Sequence, residues 1–271
     1  MNDRRTFLAL VAALFPASLP AALKLRWAGI ALSAQAQPAA PAAAAPRELA
    51  RHSLTGPLAD FDALLIELRP PVGEGREHRH SGPVLGYVLE GKVRFGVNHE
   101  PARIFGVGET FFEETGALHS TFGSVEGAPA RLIVFMVAPK GTNGAATAPV
   151  PASSAQSQSA APAASAPPSE LARHTLTGPL ADFDVLLLEL HPPVGDGRGH
   201  RHTGPVLGYV LEGKLRFAVN HEPARIFGVG ETFFEETGAL HSTHGSVEGS
   251  PARAIVFMVV PKGSNGAAPR A

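Results

Sequence analysis

Residues 78–91 read HRHSGPVLGYVLEG, and nearly the same pattern returns at residues 200–213 as HRHTGPVLGYVLEG. Its apolar run of β-branched and aromatic residues ends at a glycine, which indicates a buried β-strand. Side chains two residues apart on a strand point to the same face, so His78 and His80 are expected to project into one cavity while Arg79 points away. The stretch therefore predicts a β-fold with a pair of imidazoles facing its interior.

The pattern belongs to a longer internal repeat. Residues 48–141 realign on residues 170–263 at a constant offset, with thirteen differences among 94 positions. This length is typical of a small independent domain and not of a short-period solenoid. We therefore predict two tandem domains, residues 47–141 and 170–263. Three of the differences change the chemistry of the side chain: Arg69 becomes His191, Glu77 becomes Gly199 and Phe122 becomes His244.

Segments rich in Ala, Pro and Ser surround the two copies. Residues 37–46 precede the first copy, residues 142–169 separate the two, and residues 264–271 follow the second. Such compositions bury little apolar surface, so we expect a flexible lead-in segment, a flexible extended linker and a short tail.

Each copy contains several short strand-like runs and no convincing amphipathic helix. Residues 62–68, 85–90, 92–97, 109–113 and 131–137 are such runs, and the chain has 29 Gly and 25 Pro to form turns between them. Many short strands at close spacing favour an all-β antiparallel sandwich or barrel.

A third histidine completes a possible metal site in each copy. His119 follows residues 116–118 (GAL), and its counterpart is His241. If a neighbouring strand brings His119 opposite the pair, the three imidazoles converge. In the second copy, the corresponding residues are His200, His202 and His241. Three neutral imidazoles suit a divalent transition metal such as Fe(II), Mn, Zn, Ni or Cu.

These motifs resemble the two conserved motifs of the cupin superfamily. The first is His78-x-His80 followed by residues 86–91, and the second is Gly108, Gly116 and His119, with counterparts in the second copy. The resemblance covers both repeats almost completely. It implies two small double-stranded β-helix barrels of the jelly-roll type, in which the histidines hold a metal ion inside each barrel.

The sequence departs from the usual cupin pattern. The glutamate that usually follows the second histidine by four residues, as a fourth ligand, is Val84 in the first copy and Val206 in the second. Some cupin dioxygenases, such as those that cleave diketones, gentisate or thiols, use three histidines without it. The loss is compatible with catalysis, and equally with a weakened or abandoned metal site.

Two further pairs of residues are weaker candidates for the site. Glu113 and Glu235 lie six residues before the third histidine and could act as a replacement ligand or a general base. The alternative is a glutamate that faces outward. Arg76 and Arg198 could bind a substrate carboxylate in bidentate fashion, or could be solvated arginines at a strand entrance.

One further histidine requires a separate prediction. His244 follows His241 by three residues, an odd number. On one continuous strand the two rings would face opposite sides, so we do not expect His244 to be a ligand.

Composition narrows the possible functions. The chain has no cysteine, which excludes disulfides and thiolate chemistry, and its net charge of -1 without a basic stripe argues against a nucleic-acid partner. Three hypotheses remain: an Fe(II) dioxygenase or related oxidoreductase, a non-catalytic module that binds a small molecule, and a metal-dependent isomerase or lyase. The two copies are expected to pack together as an internal pseudo-dimer.

Residues 1–36 read as an export signal. Residues 3–8 (DRRTFL) resemble the twin-arginine signature, an apolar stretch follows, and a small-residue cleavage site (AQA) ends at residue 36. The alternative, an uncleaved anchor, is disfavoured because the apolar stretch is short and contains Pro16 and Pro20. We therefore expect an exported, periplasmic protein whose mature chain is not inserted in a membrane.

Overall fold

The computed structural model describes residues 47–53, 56–73, 75–125, 128–146, 169–175, 178–194, 199–247 and 251–268. The predicted export signal, residues 37–46 and most of the linker lie outside these ranges. No helix among the described residues is long and apolar enough to cross a membrane.

The first domain has nine strands and one short 3-10 helix, Gly56–Leu58. The strands are β1 (Arg47–Ser53), β2 (Phe61–Leu68), β3 (His78–Arg79), β4 (Val84–Glu90), β5 (Val93–Val97), β6 (Arg103–Phe105), β7 (Thr110–Glu113), β8 (Leu118–Ser124) and β9 (Arg131–Pro139).

The second domain repeats this arrangement, with its 3-10 helix at Gly178–Leu180. Its strands are β10 (Ser169–Thr175), β11 (Phe183–Leu190), β12 (His200–Arg201), β13 (Val206–Glu212), β14 (Lys214–Val219), β15 (Arg225–Gly228), β16 (Thr232–Glu235), β17 (Leu240–Ser246) and β18 (Arg253–Pro261).

Each domain is a β-barrel made of two antiparallel sheets. In the first domain, five strands lie in the order β1-β2-β9-β4-β7 and four in the order β3-β8-β5-β6, and the second domain matches this topology. The prediction of two all-β, double-stranded β-helix barrels is confirmed.

The five-stranded sheet is buried on both faces, which explains its nearly continuous apolar sequence. Alternate residues of β4 and β9, such as Val88 and Val134, enter the core of the first barrel. The residues between them, such as Leu85 and Phe135, enter a second apolar cluster that both domains share.

The shared cluster joins the two domains as the predicted internal pseudo-dimer. Phe135 and Phe257 occupy equivalent positions in the two repeats, and their rings stack with centroids 5.0 Å apart and planes 12° apart. Aromatic pairs of this kind contribute about 0.5–1.5 kcal/mol beyond their area burial.

The first domain extends beyond the end that composition suggested. Ala145 forms a β-bridge with His80, and the amide of Ala146 donates a hydrogen bond to the carbonyl of Arg79 at 3.0 Å. Ala267 bridges His202 in the same way. Residues 142–146 and 264–268, assigned to the linker and the tail from their composition, thus form part of the wall beside the histidine pair of each barrel.

Candidate metal centre

Three histidines converge inside the first barrel. β3 pairs with β8 so that His78 lies directly opposite His119, and His80 follows two residues later. The ligand nitrogens of the three rings lie within 4.8 Å of one another, and Nε2 of His78 is 3.1 Å from Nε2 of His80. One ion could contact all three.

The second barrel contains the same arrangement. His200 lies opposite His241, Nε2 of His200 is 3.1 Å from Nε2 of His202, and the three ligand nitrogens again lie within 4.8 Å of one another. The structure therefore brings both predicted histidine trios together.

Backbone contacts hold the very short strand β3 in place. The amide of Ser81 donates to the carbonyl of Gly144 at 2.8 Å, and the amide of Gly116 donates to the carbonyl of His80 at 3.0 Å. Arg79 turns away from the trio, as predicted, and its Nη1 donates to the carbonyl of Gly116 at 2.6 Å. The residues flanking His80 are thus anchored to two neighbouring segments.

A hydrogen bond also orients the ring of His78. Its Nδ1–H donates to the carbonyl of Arg76 at 2.9 Å, which leaves Nε2 as an acceptor whose lone pair faces Nε2 of His80. The side chain of Arg76 is exposed, so its role in substrate binding stays a prediction. Arg198 lies outside the described residues.

Burial keeps two of the three rings in each trio neutral. It lowers the pKa of His119 to about 3 and that of His80 to about 4, with the neighbouring imidazoles adding to the effect. In the second barrel, the same causes lower the pKa of His241 to about 2 and that of His202 to about 4. Neutral imidazoles offer lone pairs to a metal ion at physiological pH.

Glu113 lies beside the trio and does not face outward. Its Oε1 is 3.3 Å from Nδ1 of His119 and 3.6 Å from Nε2 of His80. Burial raises the pKa of the Glu113 carboxyl to about 8. Glu235 repeats this geometry at 3.2 Å from His241 and 3.7 Å from His202, and burial likewise raises its pKa to about 8.

The buried polar atoms at this site fit a cation. Among the described residues, both ring nitrogens of His119 and both carboxyl oxygens of Glu113 have no hydrogen-bond partner, and His241 and Glu235 repeat this. Buried polar groups without partners are rare in folded proteins and indicate an ion, water or ligand that satisfies them.

A β-bulge places a further residue next to each trio. Val97 pairs with His119, and Gly96 pairs with Thr121, so that Ser120 is the extra residue in β8. Because of the extra residue, side chains after Ser120 point to the face opposite to the one that regular alternation predicts. The ring of Phe122 therefore lies 4.9 Å from that of His119.

The same bulge in the second barrel shows that the predicted orientation of His244 is wrong, although His244 still lies outside the trio. Its ring lies 4.7 Å from that of His241 and 5.2 Å from that of His200, on the same face of the strand. The argument from alternating side chains was wrong here because it assumed a strand without a bulge. His244 is not part of the group whose ligand atoms all lie within 4.8 Å of one another.

Comparison with known proteins agrees with this architecture. The family described as "Cupin domain" matches residues 65–136 of the first repeat, and the second repeat is a near copy of the first. Residues 65–136 are thus a cupin domain, and the second repeat, which has the same topology, shares the cupin fold.

Three solved structures are similar in fold to this chain. AerE from Microcystis aeruginosa is 12% identical, with a TM-score of 0.50 over 74% of this chain and 88% of that chain. A Bacillus subtilis oxalate decarboxylase structure concerned with its Mn(II) centers is 14% identical, with a TM-score of 0.52 over 81% and 78%. The S161A mutant of the same enzyme is 13% identical, with a TM-score of 0.53 over 80% and 77%. No curated protein sequence matches the chain.

Each cupin domain opens to solvent at its metal centre. His78 and His200 are exposed, whereas His119 and His241 are buried. Aromatic rings cover the buried side, since the ring of Phe95 lies 4.8 Å from that of His119. A small molecule therefore has access to the trio from the side of the first histidine.

Proposed function

We propose that each cupin domain binds one divalent transition-metal ion through its three histidines, and that the protein is a metal-dependent oxidoreductase acting on small chelating anions. The observation that carries this proposal is the convergence of three imidazole rings, in both domains, within 4.8 Å. A bound ion would supply Lewis-acid and one-electron chemistry, with coordination positions left for a substrate, water or O2.

The residues of the chain itself supply orientation and exclusion of water. The hydrogen bond from His78 to the carbonyl of Arg76 fixes the ring so that Nε2 faces the centre. Phe95 and Phe111 pack 4.1 Å apart behind His119, so solvent reaches the trio from one side. An apolar surface that excludes water strengthens electrostatic interactions with a bound anion.

The charge of the site favours an anionic ligand. Three neutral imidazoles leave the positive charge of a divalent ion uncompensated, and a carboxylate or an enolate neutralises it better than an uncharged molecule does. The fold is shared with Bacillus subtilis oxalate decarboxylase, whose Mn(II) centers are the subject of one structure. The metals to be tested first are therefore Mn(II) and Fe(II). The panel of candidate substrates consists of oxalate, β-diketones and aromatic hydroxy acids.

The test is oxygen uptake and substrate consumption by the full chain loaded with Fe(II) or Mn(II). We expect turnover of at least one member of the panel, and loss of turnover in a His78→Ala, His200→Ala double variant. A matched control is His99→Ala with His221→Ala, because both residues are exposed in turns. Turnover that survives in the first double variant would contradict the proposal. Metal binding without turnover of any panel member would favour a non-catalytic binding module.

We also propose that the protein is exported and acts in the periplasm. Residues 1–36, outside the described part of the structure, support this through the Arg4-Arg5 pair and the apolar stretch that follows. Cell fractionation would show the mature chain in the periplasm, and an Arg4→Lys, Arg5→Lys variant would retain it in the cytoplasm. Wild-type protein found only in the cytoplasm would contradict this.

A further inference from the structure

The two domains differ in the side chain that flanks the histidine trio near the opening of the barrel. In the second domain this side chain is His244, whose ring lies 4.7 Å from that of His241 and 5.2 Å from that of His200. His200 is exposed and His244 is half-buried, so both rings stand on the side from which a ligand reaches the trio. A ligand in the second barrel therefore has an additional imidazole beside it.

The first domain has a purely apolar ring at the same place. Phe122 lies 4.9 Å from His119 and is half-buried, as His244 is. A phenyl ring offers no N–H or O–H donor, whereas an imidazole carries an N–H donor in its neutral as well as in its charged form. The first trio therefore presents an apolar surface to a ligand, and the second presents a hydrogen-bond donor.

The position of His244 suits contact with a ligand, not with the metal ion itself. Its nitrogens lie outside the group of donor atoms that are all within 4.8 Å of one another. Its ring nevertheless contacts that of His200 on the open side. After burial, the charge of His244 is the largest cause that lowers the pKa of His241, so His244 acts electrostatically on the space that the trio surrounds.

A second difference between the repeats acts in the same direction. The residue before the first histidine of the trio is Glu77 in the first domain and Gly199 in the second. The side chain of Glu77 is 51% exposed, and its carboxylate lies 3.4 Å from Nδ1 of His99. This negative charge beside the first trio repels an approaching anion, although solvent and salt screen the effect. Both differences thus make the second trio the better site for a small anion.

We propose that His244 is a specificity-determining residue that donates a hydrogen bond to a small carboxylate bound at the second histidine trio. The first trio, beside Phe122, takes an anion that carries an apolar or aromatic group. The inference rests on the proposed metal binding, and it deepens the proposed function by giving the two domains different ligands. Hydrogen bonds to a charged acceptor are shorter and stronger than those between neutral groups, so one such bond is enough to separate the two preferences.

The experiment measures ligand binding by the full-length protein with one trio disabled at a time. His78→Ala with His80→Ala leaves the second trio intact, and His200→Ala with His202→Ala leaves the first. Each form is loaded with Co(II), whose visible absorption reports changes in coordination, and is titrated with formate and with benzoate. These probes share a carboxylate and differ in the apolar group. Circular dichroism checks that each form is folded.

We expect the second trio to bind formate about tenfold more tightly than the first trio does. The first trio should bind benzoate more tightly than formate. With only the second trio intact, His244→Phe should remove the tenfold advantage, and His244→Asn, which keeps an N–H donor, should retain most of it. With only the first trio intact, Phe122→His should raise the affinity for formate by a similar factor.

A matched control is His191→Arg, which restores the residue of the first domain at another position where the repeats differ. His191 is exposed and follows the end of β11, in the sheet that does not carry the trio. This variant should bind both probes as its parent does.

The possible failures are distinguishable. Equal affinity of the two trios for formate, or an affinity unchanged by His244→Phe in a folded, Co(II)-loaded form, would overturn the role of His244 alone. A His244→Phe form that no longer holds Co(II) would make His244 part of the metal site and would also overturn the inference. Wild-type protein that binds no Co(II) would overturn the proposed metal sites, and this inference with them.

Discussion

His244 packs its ring 4.7 Å from that of His241, at the position where the first domain has Phe122 beside His119. The three histidines of each trio are the same in both domains, but the ring that flanks them is polar in one and apolar in the other. This difference gives the two histidine trios chemically distinct surroundings.

This difference predicts two spectroscopic environments in one chain. Protein loaded with Mn(II) or Co(II) should give two sets of signals in EPR or paramagnetic NMR spectra. A His244→Phe variant should still bind metal in both domains and should give one set, because its second site then copies the first. The reciprocal Phe122→His variant provides the control and should also give one set, at the other position. Two sets that persist in His244→Phe would contradict the prediction.

Metal binding at neutral pH should release protons from the glutamates. Burial raises the pKa of Glu113 and that of Glu235 to about 8, so both carboxyls are protonated at pH 7 in the metal-free protein. A divalent ion bound at the adjacent histidine trio favours the ionised carboxylate and so releases its proton. Of the histidines, those with a pKa of about 4 or below are already neutral and release none. Affinity should therefore rise about tenfold per pH unit up to pH 8 and then level off.

Calorimetry in buffers of different ionisation enthalpy measures this release. We expect about one proton per site at pH 7 for the wild type and about none for Glu113→Gln with Glu235→Gln. Equal proton release by the two forms would contradict the assignment of the proton to the glutamate.

Gly86 is required by the close approach of an aromatic ring. It pairs with Phe111 across the β4–β7 ladder, and a Cβ at this position would lie 2.1 Å from Cζ of Phe111. Because Phe111 is buried, Gly86→Ala should destabilise the protein by about 1–3 kcal/mol in chemical denaturation.

Gly199 offers a matched control for the effect of an added methyl group. A Cβ there would lie 3.4 Å from the carbonyl of His241, an ordinary contact distance, and the first domain has Glu77 at this position. Gly199→Ala should change the stability by less than about 0.5 kcal/mol. Equal stability losses in the two variants would contradict the packing argument.

The fold and the histidine trios could be predicted because their signals are local. The spacing of His78 and His80 puts both rings on one face of a strand whatever surrounds it, and identity at 81 of 94 positions makes two equivalent domains inevitable. The barrel fold and the meeting of His119 with the pair then followed from the resemblance to cupins.

The remaining features depend on tertiary structure. A bulge at Ser120 reverses the face of every later residue of β8, and no residue type marks it in the sequence. The inward position of Glu113 follows from its register against Val84, which a single strand does not reveal. Ala145 reads as linker by composition, yet it bridges His80 through its backbone, where the identity of the side chain carries little information.

The most direct test of the metal centres is elemental analysis of the full-length protein purified without added metal or chelator. Two histidine trios predict about two transition-metal ions per chain. A His80→Ala, His202→Ala variant of the same fold should contain close to none. Wild-type protein that is folded and free of metal, or a variant that retains the metal content of the wild type, would contradict the account.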